Sequence, residues 1–391
     1  MTNSIDATKL ADVYAFIASR QDEILSLIHK LVETESPSGD VEGSRAVVDL
    51  LEKAAHAISS VNSIERIPSP DYGEHLRINA FGGSGNNGQK TLLLGHTDTV
   101  HPRGTLSARQ GLRAEDGRLY GPGIFDMKAS CAVAIEVLHC LTVLELHPRR
   151  PVTLLLTCDE ETGSATGRQL VETEARQAAQ VLVLEPPVPG GCVKTARKGV
   201  GIWKVAAQGI ASHAGLNPEA GASAILELAR QTERFHSMSD ATGGTNFNVG
   251  VISGGTRVNV VAERAEMEIE ARFSTIKEAQ RINGFMGKLQ PFDERVQLTV
   301  KGGINRPPIE RTPGIVRLYR QAREIASRLN FELEERSVGG ASDGNFAAAL
   351  DVPVLDGLGV DGDGAHAAHE HILTADITRR AALLAGLVAS L

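Results

Sequence analysis

Four short segments of the chain are apolar without alternation, and this pattern constrains the fold more than any other. They are Thr91-Leu92-Leu93-Leu94-Gly95, Val152-Thr153-Leu154-Leu155-Leu156-Thr157, Val181-Leu182-Val183-Leu184 and Val352-Pro353-Val354-Leu355. A strand with one wet face alternates polar and apolar residues, whereas an unbroken apolar run is buried on both faces. Helical periodicity near residues 127–146, 164–178, 313–329 and 375–390 separates or flanks these runs. The expected architecture is therefore α/β, a three-layer domain with its sheet sandwiched by helices.

The amino-terminal part reads as helix over residues 6–35, where Leu10, Val13, Ile17, Ile24, Ile28 and Leu31 recur at three- and four-residue steps. Glu35-Ser36-Pro37-Ser38-Gly39-Asp40 breaks it, and helical spacing resumes over 41–58. Gly82-Gly83-Ser84-Gly85-Asn86-Asn87-Gly88 reads as a hairpin tip or surface loop. The middle of the chain behaves differently. Residues near 200–210 and 257–273 alternate, as in Met267-Glu268-Ile269-Glu270-Ala271-Arg272-Phe273, and residues 219–236 and 275–289 are helical. A strand–helix–strand–strand–helix–strand order is a compact α+β unit. It predicts a second domain, residues 199–309, inserted between residues 1–198 and 310–391 of the first.

Length supports more than one domain, since 391 residues is two to three times the usual domain size. Forty Lys and Arg against 48 Asp and Glu give a net charge of −8, which disfavours a nucleic-acid partner. The four cysteines, Cys131, Cys140, Cys158 and Cys192, form no C-x-x-C pair, so neither a disulfide framework nor a thiolate metal site is expected. Any metal must then be held by the nitrogen and oxygen of the 12 His and the acids. No apolar stretch approaches about 20 residues, so no membrane partner is expected. Met1–Leu10 lacks the apolar core of a signal peptide, and the expected location is cytoplasmic.

Acids and histidines follow the apolar runs. The first leads into His96-Thr97-Asp98, the second into Asp159-Glu160-Glu161, the third into Glu185-Pro186, and the fourth precedes a loop carrying His366. Ligands of open α/β sheets gather beyond the carboxyl ends of the strands. Charged residues also collect there because strands exit into water, but repetition at several ends weakens that alternative. His96 and Asp98 stand two apart on extended chain and point the same way. An acid beside a histidine can accept its second ring N–H and strengthen it as a ligand, so Asp98 is read as an orienter; a turn-capping pair is the alternative. Gly121-Pro122-Gly123-Ile124-Phe125-Asp126 is a tight loop that can present Asp126 to two cations at once, or place it as a helix cap. Glu160 and Glu161 diverge on extended chain, so one can bind metal and the other act as a base; the alternative is an acid pair at a helix start. In Gly364-Ala365-His366-Ala367-Ala368-His369-Glu370-His371 the ligand is read as His366, with Glu370 as an orienting acid and His369 and His371 solvated.

These segments together resemble the dinuclear zinc amidohydrolases, the family of glutamate carboxypeptidase, acetylornithine deacetylase, succinyl-diaminopimelate desuccinylase, aminoacylase and tripeptidase. The motifs are Leu93–Val100, Gly121–Asp126, Asp159–Ser164, Glu185-Pro186 and Gly364–His366, with Ser212-His213-Ala214-Gly215 as the lid-domain signature. They occur in order across nearly the whole chain. The resemblance implies two zinc ions bridged by Asp126, one also held by His96 and Glu185 and the other by Glu161 and His366. Cobalt or manganese would tolerate the same donors. It makes Glu160 the general base acting on a shared water. It also implies a lid domain that forms a homodimer, from which His213 reaches the partner's active site to polarise the scissile carbonyl. Arg306 in Asn305-Arg306-Pro307 resembles a carboxylate-binding arginine, and Asn259 and Arg272 match positions lining the same pocket; for each, a surface charge or turn residue is the alternative. Gly340-Ala341-Ser342-Asp343-Gly344 matches a loop near the substrate.

The implied reaction is hydrolysis of an amide bond in a small peptide or N-acyl amino acid, releasing an amino acid with a free α-carboxylate. The Gly-Pro-Gly loop favours the carboxypeptidase branch. A deacylase or a cytoplasmic dipeptidase is the rival within the family. Gly357-Leu358-Gly359-Val360-Asp361-Gly362 fits a nucleotide-binding G-x-G-x-x-G, but no helix start follows it. A binding module that has lost its metal is disfavoured by the presence of every ligand position.

Overall fold

A computed structural model describes residues 5–82, 88–108 and 111–391. Most of the glycine-rich segment 82–88 thus lies outside the described residues. Contacts divide the chain into two units. One comprises residues 1–195, 311–337 and 342–391, and the other residues 196–310 and 338–341.

The first unit is built on a six-stranded sheet. Its spatial order is Val61–Ser69, Gly73–Ala80, Val152–Thr157, Lys90–His96, Ala178–Val183 and Val354–Leu355. Gly73–Ala80 pairs antiparallel with both of its neighbours, and the remaining neighbours pair parallel. Leu92, Leu93 and Leu94, Leu154, Leu155 and Leu156, and Val181, Leu182 and Val183 are all buried, as unbroken apolar runs require. The helix Gly167–Ala175 packs on the two strands Lys90–His96 and Ala178–Val183, and Ala129–Val143 packs against Ile377–Ser390. Ala129–Val143 is apolar all round because almost every residue in it is buried.

Lys90–His96 comes first among the parallel strands. The chain next adds Val152–Thr157 on one side of it and then Ala178–Val183 on the other. The winding reverses at Lys90–His96, and its carboxyl end is the switch point where an open α/β sheet leaves a crevice. A small antiparallel sheet in the order Gly362–Asp363, His371–Leu373, Arg118–Tyr120, Arg113–Glu115 completes the setting. Its adjacent strands lead from and into the loops that carry Asp126 and His366.

The amino-terminal helix is two helices, Ala7–Ser19 and Gln21–Glu33. Arg20 between them leaves helical geometry at φ −113°, ψ 17°, and its Nε donates to Glu136 Oε1 at 2.6 Å. Buried Ile17 and Ile24 keep the apolar period across the break, which hides it from the sequence.

The second unit has the strand–helix–strand–strand–helix–strand order. Its antiparallel sheet runs Asn246–Gly254, Arg264–Phe273, Gly199–Gln208, Gln297–Arg306. Ala265, Met267, Ile269, Ala271 and Phe273 form a core with Leu228 and Phe235 of one helix and Ile282 and Met286 of the other, and the intervening strand residues face outward. The strand expected from residue 257 starts at Arg264, because residues 257–263 form turns and irregular chain. Among the described residues, no helix is long and apolar enough to cross a membrane.

The glycines near 357–362 serve packing. A Cβ on Gly359 would stand 2.3 Å from Ser130 Oγ and 2.7 and 2.8 Å from the carbonyl oxygens of Leu184 and Glu185. Gly359 N–H donates to the Glu185 carbonyl at 3.0 Å. The buried Arg380 guanidinium donates to the carbonyls of Gly359 at 2.7 Å, Gly191 at 3.0 Å and Gly357. Overpacking of this kind costs roughly 1–3 kcal/mol. Gly359→Ala should therefore lower the thermal unfolding midpoint by several degrees; a wild-type midpoint would contradict this close approach.

Candidate metal centre

His96 ends the central strand and is buried. Its Nε2 lies 3.1 Å from Asp126 Oδ1 and 3.5 Å from Glu185 Oε1. Its Nδ1 lies 3.0 Å from the backbone carbonyl oxygen of Asp98 and 3.5 Å from Asp98 Oδ1. A carbonyl only accepts, so Nδ1 carries hydrogen, and in the neutral ring Nε2 offers its lone pair toward the carboxylates. Asp98 thus orients His96 more closely through its backbone than through its side chain. The Asp98 carboxylate accepts from Ser38 Oγ at 2.6 Å and from the N–H groups of Glu160 and Glu161, each at 3.2 Å.

Those bonds explain a second departure from the sequence reading. Glu160–Thr162 is a single helical turn and not extended chain. The Asp98 carboxylate holds the start of that turn. Asp159 is buried and accepts from the N–H and hydroxyl of Thr166, at 2.6 and 2.8 Å, which anchors the end of the loop. The two glutamates diverge all the same. Glu161 Oε2 lies 3.2 Å from His366 Nε2, whereas Glu160 groups with His96 and Glu185, with ligand atoms of all three within 4.8 Å of one another.

Asp126 does not cap the following helix. Asp126 and Met127 lie outside helical geometry, their peptide bond is cis, and the regular helix starts at Ala129. Asp126 Oδ1 faces His96, and Oδ2 lies 3.4 Å from His366 Nε2. His366 has a positive φ of 64°, and its side chain is 52% exposed. Glu185 is buried in the loop that follows Ala178–Val183. His371 packs against Tyr120 with ring centroids 5.0 Å apart, and its Nδ1 meets the carbonyl of His369 at 2.9 Å, so it belongs to the packing. Glu370 binds the Asp126 loop instead of the His366 ring.

Charge governs this cluster. Burial pushes the His96 imidazole down, but hydrogen bonds with Asp126, Asp98 and Glu185 outweigh it and hold the ring well above its ordinary value. Hydrogen bonds with Asp126 and Glu161 push His366 up to about 10. Burial raises Asp126, yet His366 and His96 hold it well below the usual carboxylate range. Burial raises Glu161. Glu161 Oε1 is buried with no hydrogen-bond partner. An orphaned carboxylate oxygen beside two imidazoles and further carboxylates is a donor set that fits hard or borderline divalent cations. His96, Asp126 and Glu161 present ligand atoms within 4.8 Å of one another, which is one such group.

Metal binding requires neutral imidazole, so protons on His96 and His366 compete with cations. With His366 held at about 10, metal uptake near neutral pH must release protons, and affinity must fall as pH falls. Calorimetric zinc titrations in buffers of different ionisation enthalpy should show about one or two protons released per centre. Heats independent of the buffer would contradict this.

The remaining candidates belong to the second unit. His213 is exposed, and its Nδ1 accepts from the N–H groups of Gly215 at 3.1 Å and Leu216 at 3.2 Å, so its neutral ring carries hydrogen on Nε2. Its segment bridges to that of Asn259, whose carbonyl accepts from Ala214 N–H at 3.0 Å. Arg272 and Arg306 both align with Val200 from the two neighbouring strands. Arg272 donates to Glu270 at 2.7 Å and to the Gly339 carbonyl at 2.8 Å. Arg306 is buried and donates to Asn305 Oδ1 at 3.2 Å. In the first unit, Ser342 Oγ donates to Asp356 at 2.8 Å, and Asp343 accepts from Thr157 at 2.9 Å and from Ser164.

Two contributors, Ser38 and His101, escaped the sequence reading. Ser38 was legible only as part of a helix break. His101 and Glu370 are buried partners of each other at 2.5 Å, and nothing in their spacing joins them.

Comparison with known proteins agrees with this chemistry. The family model described as peptidase family M20/M25/M40 matches residues 92–390. Carboxypeptidase G2 of Pseudomonas sp. (strain RS-16) is 29% identical over 388 residues, covering 95% of this chain and 90% of that protein. Acetylornithine deacetylase of Myxococcus xanthus is 27% identical over 385 residues, covering 91% and 95%. The crystal structure of aminopeptidase PepT from Bacillus cereus superposes with a TM-score of 0.74 at 20% identity, covering 95% and 98% of the two chains, a likeness of fold.

Proposed function

The chain belongs to peptidase family M20/M25/M40, and from that premise we propose that it is a dinuclear zinc hydrolase of carboxypeptidase type. It would cleave an amide bond and release an amino acid with a free α-carboxylate. The observation that carries the reading is Asp126, with one oxygen toward His96 and the other toward His366, and a further acid beside each imidazole.

In this reading His96, Glu185 and Asp126 would hold one cation, and Glu161, His366 and Asp126 would hold the other. When bound, two such cations supply Lewis acidity that polarises an amide carbonyl and acidifies water. Glu160 takes a proton from the attacking water and delivers it to the leaving amine nitrogen as the C–N bond breaks. Asp98 keeps the His96 ring and the Glu160 turn in place. Arg306 binds the substrate α-carboxylate, as a guanidinium can in bidentate fashion, and Asn259 and Arg272 line the same pocket. His213, from a second copy of the chain in a homodimer formed through the inserted unit, donates Nε2–H to the developing oxyanion. Similarity over most of both chains to an acetylornithine deacetylase supports a second reading, removal of an acyl group from an amino acid.

The test is a substrate panel with bound zinc measured alongside. Peptides and N-acyl compounds ending in glutamate should be hydrolysed faster than N-acetylornithine, N-succinyl-diaminopimelate or simple dipeptides. The reverse order would favour the deacylase or dipeptidase. Glu160→Ala should lose about 10²-fold or more in kcat and retain two zinc ions; wild-type turnover would remove Glu160 as the base.

A further inference from the structure

One buried acid outside the proposed ligand set touches the scaffold of the site at several points. Glu370 is 2% exposed and lies four residues after His366. Its Oε1 accepts from the N–H groups of Phe125 and Asp126, each at 3.0 Å. Its Oε2 accepts from Gly123 N–H at 2.9 Å and lies 2.5 Å from His101 Nε2. Its backbone carbonyl accepts from Gly121 N–H at 3.2 Å. One residue therefore gathers four amide groups of the loop that presents Asp126. His101, five residues beyond His96, closes the arrangement from the His96 side.

The need for such a clasp is plain from the backbone. Gly123 has φ +69°, and a Cβ there would stand 2.3 Å from Thr99 Cγ2, so the loop is pressed against the segment between His96 and His101. Asp126 and Met127 lack helical geometry, and the N–H groups of Phe125 and Asp126 bond to Glu370 and not to a preceding turn. A carboxylate has two oxygens and can accept several N–H groups at once. Glu370 also ends the loop that carries His366. A single side chain thus ties two loops together.

We propose that Glu370, held by His101, is a positioning residue that sets the Asp126 carboxylate between the two imidazoles and thereby controls how tightly cations bind there. The proposal rests on the metal-centre reading above. Glu370→Gln keeps the size of the side chain but turns one acceptor oxygen into an amide that faces N–H donors. Substitutions behind metal ligands commonly cost about 10–100-fold in affinity.

The experiment is a cobalt(II) titration of the metal-free full chain, followed by calorimetry and by the visible absorption of the bound ion. The wild type should bind two ions. Folded Glu370→Gln should bind them about tenfold or more weaker, with an altered visible spectrum, although every ligand remains. Wild-type affinity and spectrum in that variant would overturn the proposal. If Glu370→Gln does not fold, His101→Ala provides the test. It should weaken cobalt binding, and His101→Gln, which restores an N–H donor, should recover much of the loss. Equal, wild-type affinity in both His101 variants would overturn the proposal. Failure of the wild type to bind cobalt would overturn the metal-centre reading and this one with it; two ions bound equally well by wild type and variant would remove the clasp alone.

Discussion

Mutual repulsion among carboxylates is the constraint on which the first unit depends. Asp126, Glu160, Glu161 and Glu185 converge on two imidazoles, and most of this cluster is shielded from water. Two unit charges 4 Å apart interact by about 4 kcal/mol at an effective dielectric near 20. Such a cluster persists only if positive charge enters it. The same carboxylates hold the His96 and His366 rings above their ordinary values, so a proton on either ring is one source of that charge. Divalent cations would supply it more fully, and they would also engage the Glu161 oxygen that has no hydrogen-bond partner.

The fold exists around that convergence. The reversal of winding at Lys90–His96 brings the ends of three parallel strands together, and with them His96, the Glu160 turn and Glu185. The small antiparallel sheet delivers the other half, because its paired strands carry the Asp126 and His366 loops. Asp98 joins the two kinds of support. Its carbonyl meets the His96 ring while its carboxylate holds the turn that separates Glu160 from Glu161. The glycine at 359 lets the carboxyl-terminal segment pass beside the backbone of Glu185.

Much of this was legible in the chain. Leu92–Leu94 and Leu154–Leu156 announce strands buried on both faces, and the alternation of Met267 to Phe273 announces a sheet with one wet face. Charged residues behind such runs mark the site because strand ends are where an α/β sheet gathers its ligands. What stayed hidden is set by tertiary contact. The break at Arg20 leaves the apolar period intact while its side chain reaches Glu136. The Glu160–Glu161 pair adopts a turn because Asp98, 62 residues away in sequence, accepts its amide protons. Glu370 lies 269 residues from His101, and no spacing rule pairs them.

The proposed function turns on whether Asp126 lies between two cations. Anomalous diffraction at the zinc edge, on crystals grown with zinc, tests it most directly. Two peaks are expected to flank the Asp126 carboxylate, one against His96 and Glu185 and the other against Glu161 and His366. A single peak, or peaks that leave Asp126 without a metal contact, would contradict it.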